Sequence, residues 1–62
     1  MFAKNLKRIR KLRGLTRKEL AEKVGVTVKA IGHWETGIRK PTFDNLFTLT
    51  KVLNVSANEL LK

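Results

Sequence analysis

The chain has 62 residues, of which 14 are Lys or Arg and 5 are Asp or Glu, and its formal net charge is +9 at pH 7. So short a chain can bury only one core, which excludes a second domain, and its 42% of apolar residues exclude a disordered basic tail. The absence of Cys excludes disulfides and thiolate metal ligands, and no apolar run reaches the roughly 18 residues of a membrane span. We expect one cytoplasmic domain over residues 1–62, without cofactor or metal.

The first helix is predicted over about residues 3–13. Apolar side chains recur there at helical spacing, while six cations occupy the other faces. The predicted apolar face is formed by Phe2, Leu6, Ile9 and Leu12. Gly14 follows and is expected to end the helix in the left-handed conformation.

The second and third helices are predicted as short elements on either side of a tight turn. Thr16 and Glu19 have the spacing of a capping box, so the second helix is expected over residues 17–24, with Gly25 ending it. Thr27 is expected to cap a third helix over residues 28–36. Two short helices joined in this way are the outline of a helix-turn-helix unit, whose second helix enters the major groove of DNA.

Two more helices complete an all-α chain without any strand pattern. Thr42 is predicted to cap a fourth helix over residues 43–53, and a second capping box at Ser56 and Glu59 begins a fifth over residues 57–61. The apolar face of the fourth helix is expected to comprise Phe43, Leu46, Phe47, Leu49, Val52 and Leu53.

The positive charge is concentrated in the first two-thirds of the chain. Residues 1–40 carry 12 basic and 3 acidic side chains, a net charge of +9, whereas residues 41–62 carry 2 of each. One basic surface is therefore expected, and it would attract a polyanion. Composition leaves nucleic acid, an anionic membrane surface and an acidic protein as candidates.

The segment TRKELAEKVGVTVKAIGHWETG resembles the helix-turn-helix of the λ and 434 repressor and Cro-like family, the XRE-type regulators. LKRIRKLRGLT before it and LNVSANELL after it extend the resemblance over essentially the whole chain. The resemblance implies a compact five-helix fold of the λ-repressor type with a helix-turn-helix formed by the second and third helices. It also implies a transcriptional repressor that binds double-stranded DNA sequence-specifically, as a homodimer on a near-palindromic operator.

The resemblance assigns roles to individual positions. The residues expected to read base edges in the major groove are Thr27, Val28, Lys29, Ala30 and His33. The expected phosphate contacts come from Arg17, Lys18, Arg39, Lys40 and the backbone amide near Phe43. Relatives commonly have Gln where this chain has Arg17. Gly32 is a second departure, since glycine within a helix costs about 0.5–1 kcal/mol relative to alanine.

Structural roles are implied as well. Arg10 and Glu35 are expected to form an internal ion pair that holds the first helix to the third. Trp34 is expected in the core, because its spacing from Ile31 matches one helix face. The candidates for a dimer surface are Ala57, Leu60 and Leu61, which would otherwise leave apolar atoms at the end of the chain.

Other functional classes can be weighed against DNA binding. Catalysis is not expected, because the chain has no paired carboxylates, no nucleophile with a base and no glycine-rich phosphate loop. A protein-interaction module stays open, either an antitoxin-like partner or the DNA-binding part of a larger regulator. Membrane binding is disfavoured because the apolar stripes are short and separately capped. RNA binding stays open but lacks exposed aromatic residues for stacking on bases.

Overall fold

A computed structural model describes residues 1–62 and contains five α-helices and no strand. The helices are α1 (Phe2–Leu12), α2 (Arg17–Val24), α3 (Val28–Thr36), α4 (Phe43–Leu53) and α5 (Ala57–Leu61). The bounds of α2 to α5 agree with those predicted from the sequence, whereas α1 begins and ends one residue earlier. Its end shifts because Arg13 already has the geometry of a cap, at φ −83° and ψ 0°, and Gly14 then turns the chain at φ +71°.

The helix bounds follow from local capping. Thr16 and Ser56 each accept a hydrogen bond from the amide of the glutamate three residues later, and that glutamate accepts one from the amide of the cap. Thr27 and Thr42 each supply one such bond, at 3.1 and 3.2 Å. These side chains satisfy amides that have no acceptor within the helix, so each short helix has a defined first residue.

All five helices contribute to one hydrophobic core. α1 packs against α3 and α5, α2 packs against α3 and α4, and α4 also contacts α5. The buried apolar residues are Leu6, Ile9, Leu20, Ala21, Ile31, Trp34, Leu49, Leu53 and Leu60. Trp34 therefore has the core position predicted for it. No helix in the structure is long and apolar enough to cross a lipid bilayer.

Three apolar residues predicted on core-facing sides are exposed instead. Leu12 is 66% exposed, because a helical repeat of 3.6 residues places it about 120° around α1 from the buried Leu6. Phe43 and Phe47 are 74% and 55% exposed, since the same repeat turns both by about 80° or more from Leu53. The two phenylalanine rings pack edge to face against each other, with centroids 5.3 Å apart.

Candidate nucleic-acid interface

The turn between α2 and α3 fixes the position of α3. Gly25 adopts φ +85°, in the left-handed region where a side chain is disfavoured, and its amide donates to the Ala21 carbonyl at 2.8 Å. The Val26 amide donates to the same carbonyl at 3.0 Å. Ala21 is buried where the two helices approach, and the larger Leu20 and Ile31 side chains beside it are fully buried. The hydrogen bonds of the turn and these buried side chains thus fix the position of α3 relative to α2.

One side of α3 faces away from the core, and most of the residues predicted to read bases lie on it or at its N-terminal end. Ile31, Trp34 and Glu35 are buried, so the opposite side of the helix is accessible. Of the predicted residues, Thr27, Val28 and Lys29 are exposed, and Ala30 and His33 are half-buried. Lys29 and His33 lie on the accessible face and Thr27 and Val28 at the exposed N-terminal end of α3, whereas Ala30 also packs against the core.

The structure contains the expected ion pair between Arg10 and Glu35. Arg10 Nε donates to Glu35 Oε2 at 2.6 Å and Nη2 donates to Oε1 at 3.1 Å. The remaining Nη1 donates to the Leu15 carbonyl at 2.7 Å. The Glu35 side chain is fully buried and that of Arg10 is 9% exposed. These bonds connect α1, the loop before α2, and α3.

Glu35 has a second partner, Arg17, which sequence reasoning did not identify. Arg17 Nε donates to Glu35 Oε1 at 3.1 Å, and the Arg17 side chain remains 39% exposed. The guanidinium lies over α3 at Gly32, where a Cβ would be 3.5 Å from Nη1. The two departures from the family pattern therefore meet in space, and the absence of a side chain at Gly32 was the only signal for this contact.

The other predicted phosphate-binding cations are exposed. Lys18 lies in the first turn of α2, and Arg39 and Lys40 lie in the loop after α3. The Arg39 amide donates to the carbonyl of His33 at 3.3 Å, which attaches the loop to the end of α3. None of these three side chains has an acidic partner, because both ion pairs in the structure use Glu35. Their charges are thus available to an anion.

Two helix N-termini lie within the predicted phosphate-binding segments. At α2, the capping box uses the amides of Thr16 and Glu19, and the amides of Arg17 and Lys18 have no acceptor within the helix. The hydrogen bond from the Thr16 amide, together with the Thr16 hydroxyl and nearby Lys23, holds the pKa of Glu19 below its ordinary value. Phe43 begins α4, so its backbone amide likewise lacks an intrahelical acceptor.

The structure buries one of the three residues predicted for a dimer surface at the end of the chain. Leu60 is fully buried in the core, so the expectation that it contacts a second subunit is wrong. Leu61 is 53% exposed and Ala57 is half-buried. Both line a groove of about 190 Å³ together with Phe43, Leu46, Phe47 and Thr50.

The comparisons with known proteins agree with this geometry. A family model described as Helix-turn-helix matches residues 6–60. The chain belongs to this helix-turn-helix family. It is the λ-repressor-like, XRE-type family that the sequence resembles, and its members are DNA-binding regulators rather than enzymes.

Among individual proteins, the chain is 40% identical over 62 residues to YqaE, an uncharacterized HTH-type transcriptional regulator of Bacillus subtilis strain 168. The match covers 100% of this chain and 53% of YqaE, and the chain spans about half the length of the curated relatives it matches. Two solved structures have the same fold. The match to SinR of Bacillus subtilis in complex with DNA covers 100% of this chain and 100% of the SinR chain, at 33% identity and a TM-score of 0.92. The match to the DNA-binding domain of the P22 C2 repressor covers 100% of this chain and 82% of the repressor chain, at 32% identity and a TM-score of 0.94.

Proposed function

We propose that this chain binds double-stranded DNA sequence-specifically, with α3 in the major groove, and represses transcription in the cytoplasm. The observation that carries the proposal is the accessible position of four predicted base-reading residues at the N-terminal end and outer face of α3, namely Thr27, Val28, Lys29 and His33. Unpaired cations lie on both sides of that helix, at the start of α2 and in the loop after α3. The SinR complex with DNA supports the binding, and the name of the P22 C2 repressor supports repression.

Base recognition is assigned to α3. Lys29 is exposed and can donate to O6 and N7 of guanine. Val28 is 46% exposed and, with Ala30, offers an apolar contact to the methyl group of thymine. His33 lies one helical turn after Lys29, so both can face the same groove and His33 can bond a base edge or a phosphate.

Phosphate contacts position the domain on the duplex. Arg17, Lys18, Arg39 and Lys40 provide four cations per subunit, and the helix N-termini at α2 and α4 add amide donors. Each neutralised phosphate contributes about 0.9 to the slope of log affinity against log salt, so the four cations predict a slope of about −3.6 per subunit.

A homodimer on a near-palindromic operator is part of the proposal. The groove lined by Ala57 and Leu61 is apolar, and Phe43 and Phe47 extend it with two exposed rings. Phe43 also begins α4, so this apolar surface adjoins a proposed phosphate contact. A two-fold dimer through this surface would place two α3 helices in successive major grooves, about 10 bp apart.

The test begins with selection of tight-binding duplexes from a random library. Amide NMR spectra would then be recorded with the selected duplex and with a scrambled duplex of equal length at about 150 mM salt. Slow-exchange shifts at residues 16–18, 27–33 and 39–43 with the selected duplex alone are expected. Lys29→Ala should reduce affinity for that duplex, whereas Lys51→Ala, an exposed cation on α4, should have little effect. Failure to enrich any sequence, or equal shifts with both duplexes, would refute sequence-specific binding.

A further inference from the structure

We propose that Glu35 positions Arg17 across α3, so that the two terminal nitrogens of Arg17 form a fixed pair of donors for one DNA phosphate. The proposal rests on the proposed DNA-binding function and deepens it. Arg17 then touches DNA, and Glu35 is a positioning residue that acts through Arg17. Gly32 leaves the surface of α3 open at the place where the guanidinium lies.

The hydrogen bonds divide the Arg17 guanidinium into two parts. Nε donates to Glu35 Oε1 at 3.1 Å, whereas neither Nη1 nor Nη2 has an acceptor within the protein. Glu35 is itself fixed, because Arg10 donates to both of its carboxylate oxygens and the Glu35 side chain is fully buried. A planar guanidinium held at Nε has its outer edge, formed by Nη1 and Nη2, in a defined direction.

The charge of this cluster favours an anion at that outer edge. Arg10, Arg17 and Glu35 together carry two positive charges and one negative charge, and only Arg17 is substantially exposed, at 39%. Arg17 is also the first residue of α2, where the backbone amides have no acceptor within the helix. The excess charge and the free edge of the guanidinium therefore lie in one place, and the unbonded amides begin the helix that carries Arg17.

A small residue at position 32 leaves room for Arg17 over α3. A Cβ at this position would meet only Nη1, at 3.5 Å, which is ordinary contact for an alanine. Atoms beyond Cβ would extend into the space that the guanidinium occupies. The neighbouring arginine thus explains a small side chain at position 32, where glycine and alanine both fit.

A matched set of variants tests the positioning. Arg17→Lys keeps the charge but cannot bond Glu35 through Nε and still offer two further fixed donors. We expect Arg17→Lys to lower affinity for the selected duplex about ten-fold with an unchanged salt slope, since a positioned bidentate contact is lost while the charge remains. Arg8→Lys, at an exposed cation of α1 that has no acidic partner and no proposed DNA contact, should change affinity less than about two-fold. Equal affinity of the Arg17→Lys variant and the wild type would overturn the proposal.

Two further measurements separate the proposal from other roles of Arg17. A duplex with one neutral methylphosphonate at the contacted phosphate should weaken wild-type binding more than it weakens Arg17→Lys binding, because only the arginine loses a bidentate contact. If the methylphosphonate has no effect on wild-type binding and replacing a guanine by 7-deazaguanine weakens it instead, Arg17 contacts a base and the phosphate assignment is wrong. In the free wild-type protein, side-chain NMR should show three Nε–H groups protected from solvent exchange, those of Arg10, Arg13 and Arg17, because each donates to an acceptor within the protein. Absence of a protected Arg17 Nε–H, identified as the signal missing from Arg17→Lys, would overturn the positioning by Glu35. A wild type that does not distinguish selected from scrambled DNA would instead refute the proposed function.

Discussion

Replacement of Glu35 by Gln should cost this domain a large share of its stability. The substitution keeps the shape of the side chain but removes the negative charge that two arginines share. Arg10 would remain 9% exposed beside a neutral amide, and only its bond to the Leu15 carbonyl would be unchanged. Arg17 is 39% exposed and can move into solvent, so most of the cost comes from Arg10.

The magnitude can be estimated from the burial of the pair. Removing one partner of a buried ion pair costs about 3–5 kcal/mol, because the other charge stays buried without compensation. Arg10 keeps one hydrogen bond, which favours the lower end, about 3 kcal/mol. A chain of 62 residues has a total stability of about 3–9 kcal/mol. The variant should therefore retain about 0–6 kcal/mol, and it is partly unfolded at 25 °C if the wild type lies at the low end of that range.

Urea unfolding followed by circular dichroism measures this loss. With a slope of about 1 kcal/mol per molar urea for a small domain, a loss of about 3 kcal/mol lowers the midpoint by about 3 M. Glu22→Gln is the matched control, since Glu22 is exposed and makes no side-chain hydrogen bond, and it should change stability by less than about 0.5 kcal/mol. A double substitution, Arg10→Met with Glu35→Leu, should recover most of the loss. A Glu35→Gln loss below about 1 kcal/mol would show that the buried-pair reasoning is wrong.

Four other outcomes are expected. Gly32→Ala should raise the free energy of unfolding by about 0.5–1 kcal/mol, measured in urea, because alanine favours the helix and its Cβ has room. The pKa of Glu19 is lowered in the folded state, so the unfolded chain binds more protons below its ordinary pKa. As the pH is lowered from about 5 to about 3, the wild type should therefore lose stability more steeply than Glu19→Gln in thermal unfolding. Parallel curves for the two proteins would contradict this. Phe47→Asp should abolish dimers on the selected duplex in sedimentation experiments. Leu12→Asp should not, because Leu12, 66% exposed against 55% for Phe47, lies outside the groove. Added salt should raise the Tm of the free domain while it weakens DNA binding, because it screens repulsion among cations and also opposes counterion release.

The helices could be predicted from the sequence because their ends are decided locally. Thr16 with Glu19 and Ser56 with Glu59 are separated by three residues, and their reciprocal hydrogen bonds need no other part of the chain. The end of α2 at Gly25 is equally local. Only α1 was displaced, by one residue, since Met1 makes no side-chain capping bond.

Burial was predicted less well, because periodicity identifies an apolar side without showing which neighbours cover it. Leu12, Phe43 and Phe47 satisfy the helical spacing but lie outside the sectors that other helices cover. Leu60 shows the opposite error, since α5 contributes it to the core instead of to the surface. These four positions depend on how the helices pack, which is a property of the whole fold.

The site shows the same division between local and distant information. The accessible side of α3 follows from the burial of Ile31 and Trp34 within one helix. The contact between Arg17 and Glu35 joins residues 18 positions apart in different helices, and no spacing rule predicts it. Gly32 gave an indirect indication, because a small residue leaves space over the helix for a neighbouring side chain.

The positions of the acidic residues explain why the basic surface is not neutralised. Glu19 and Glu59 bond to the amides that begin α2 and α5, and Glu35 is buried between Arg10 and Arg17. Three of the five acidic residues thus serve the fold. The remaining two form no ion pair, so nearly all of the positive charge stays at the surface. The resulting self-repulsion opposes folding, and capping bonds and the Glu35 cluster offset it without cancelling the field that attracts DNA.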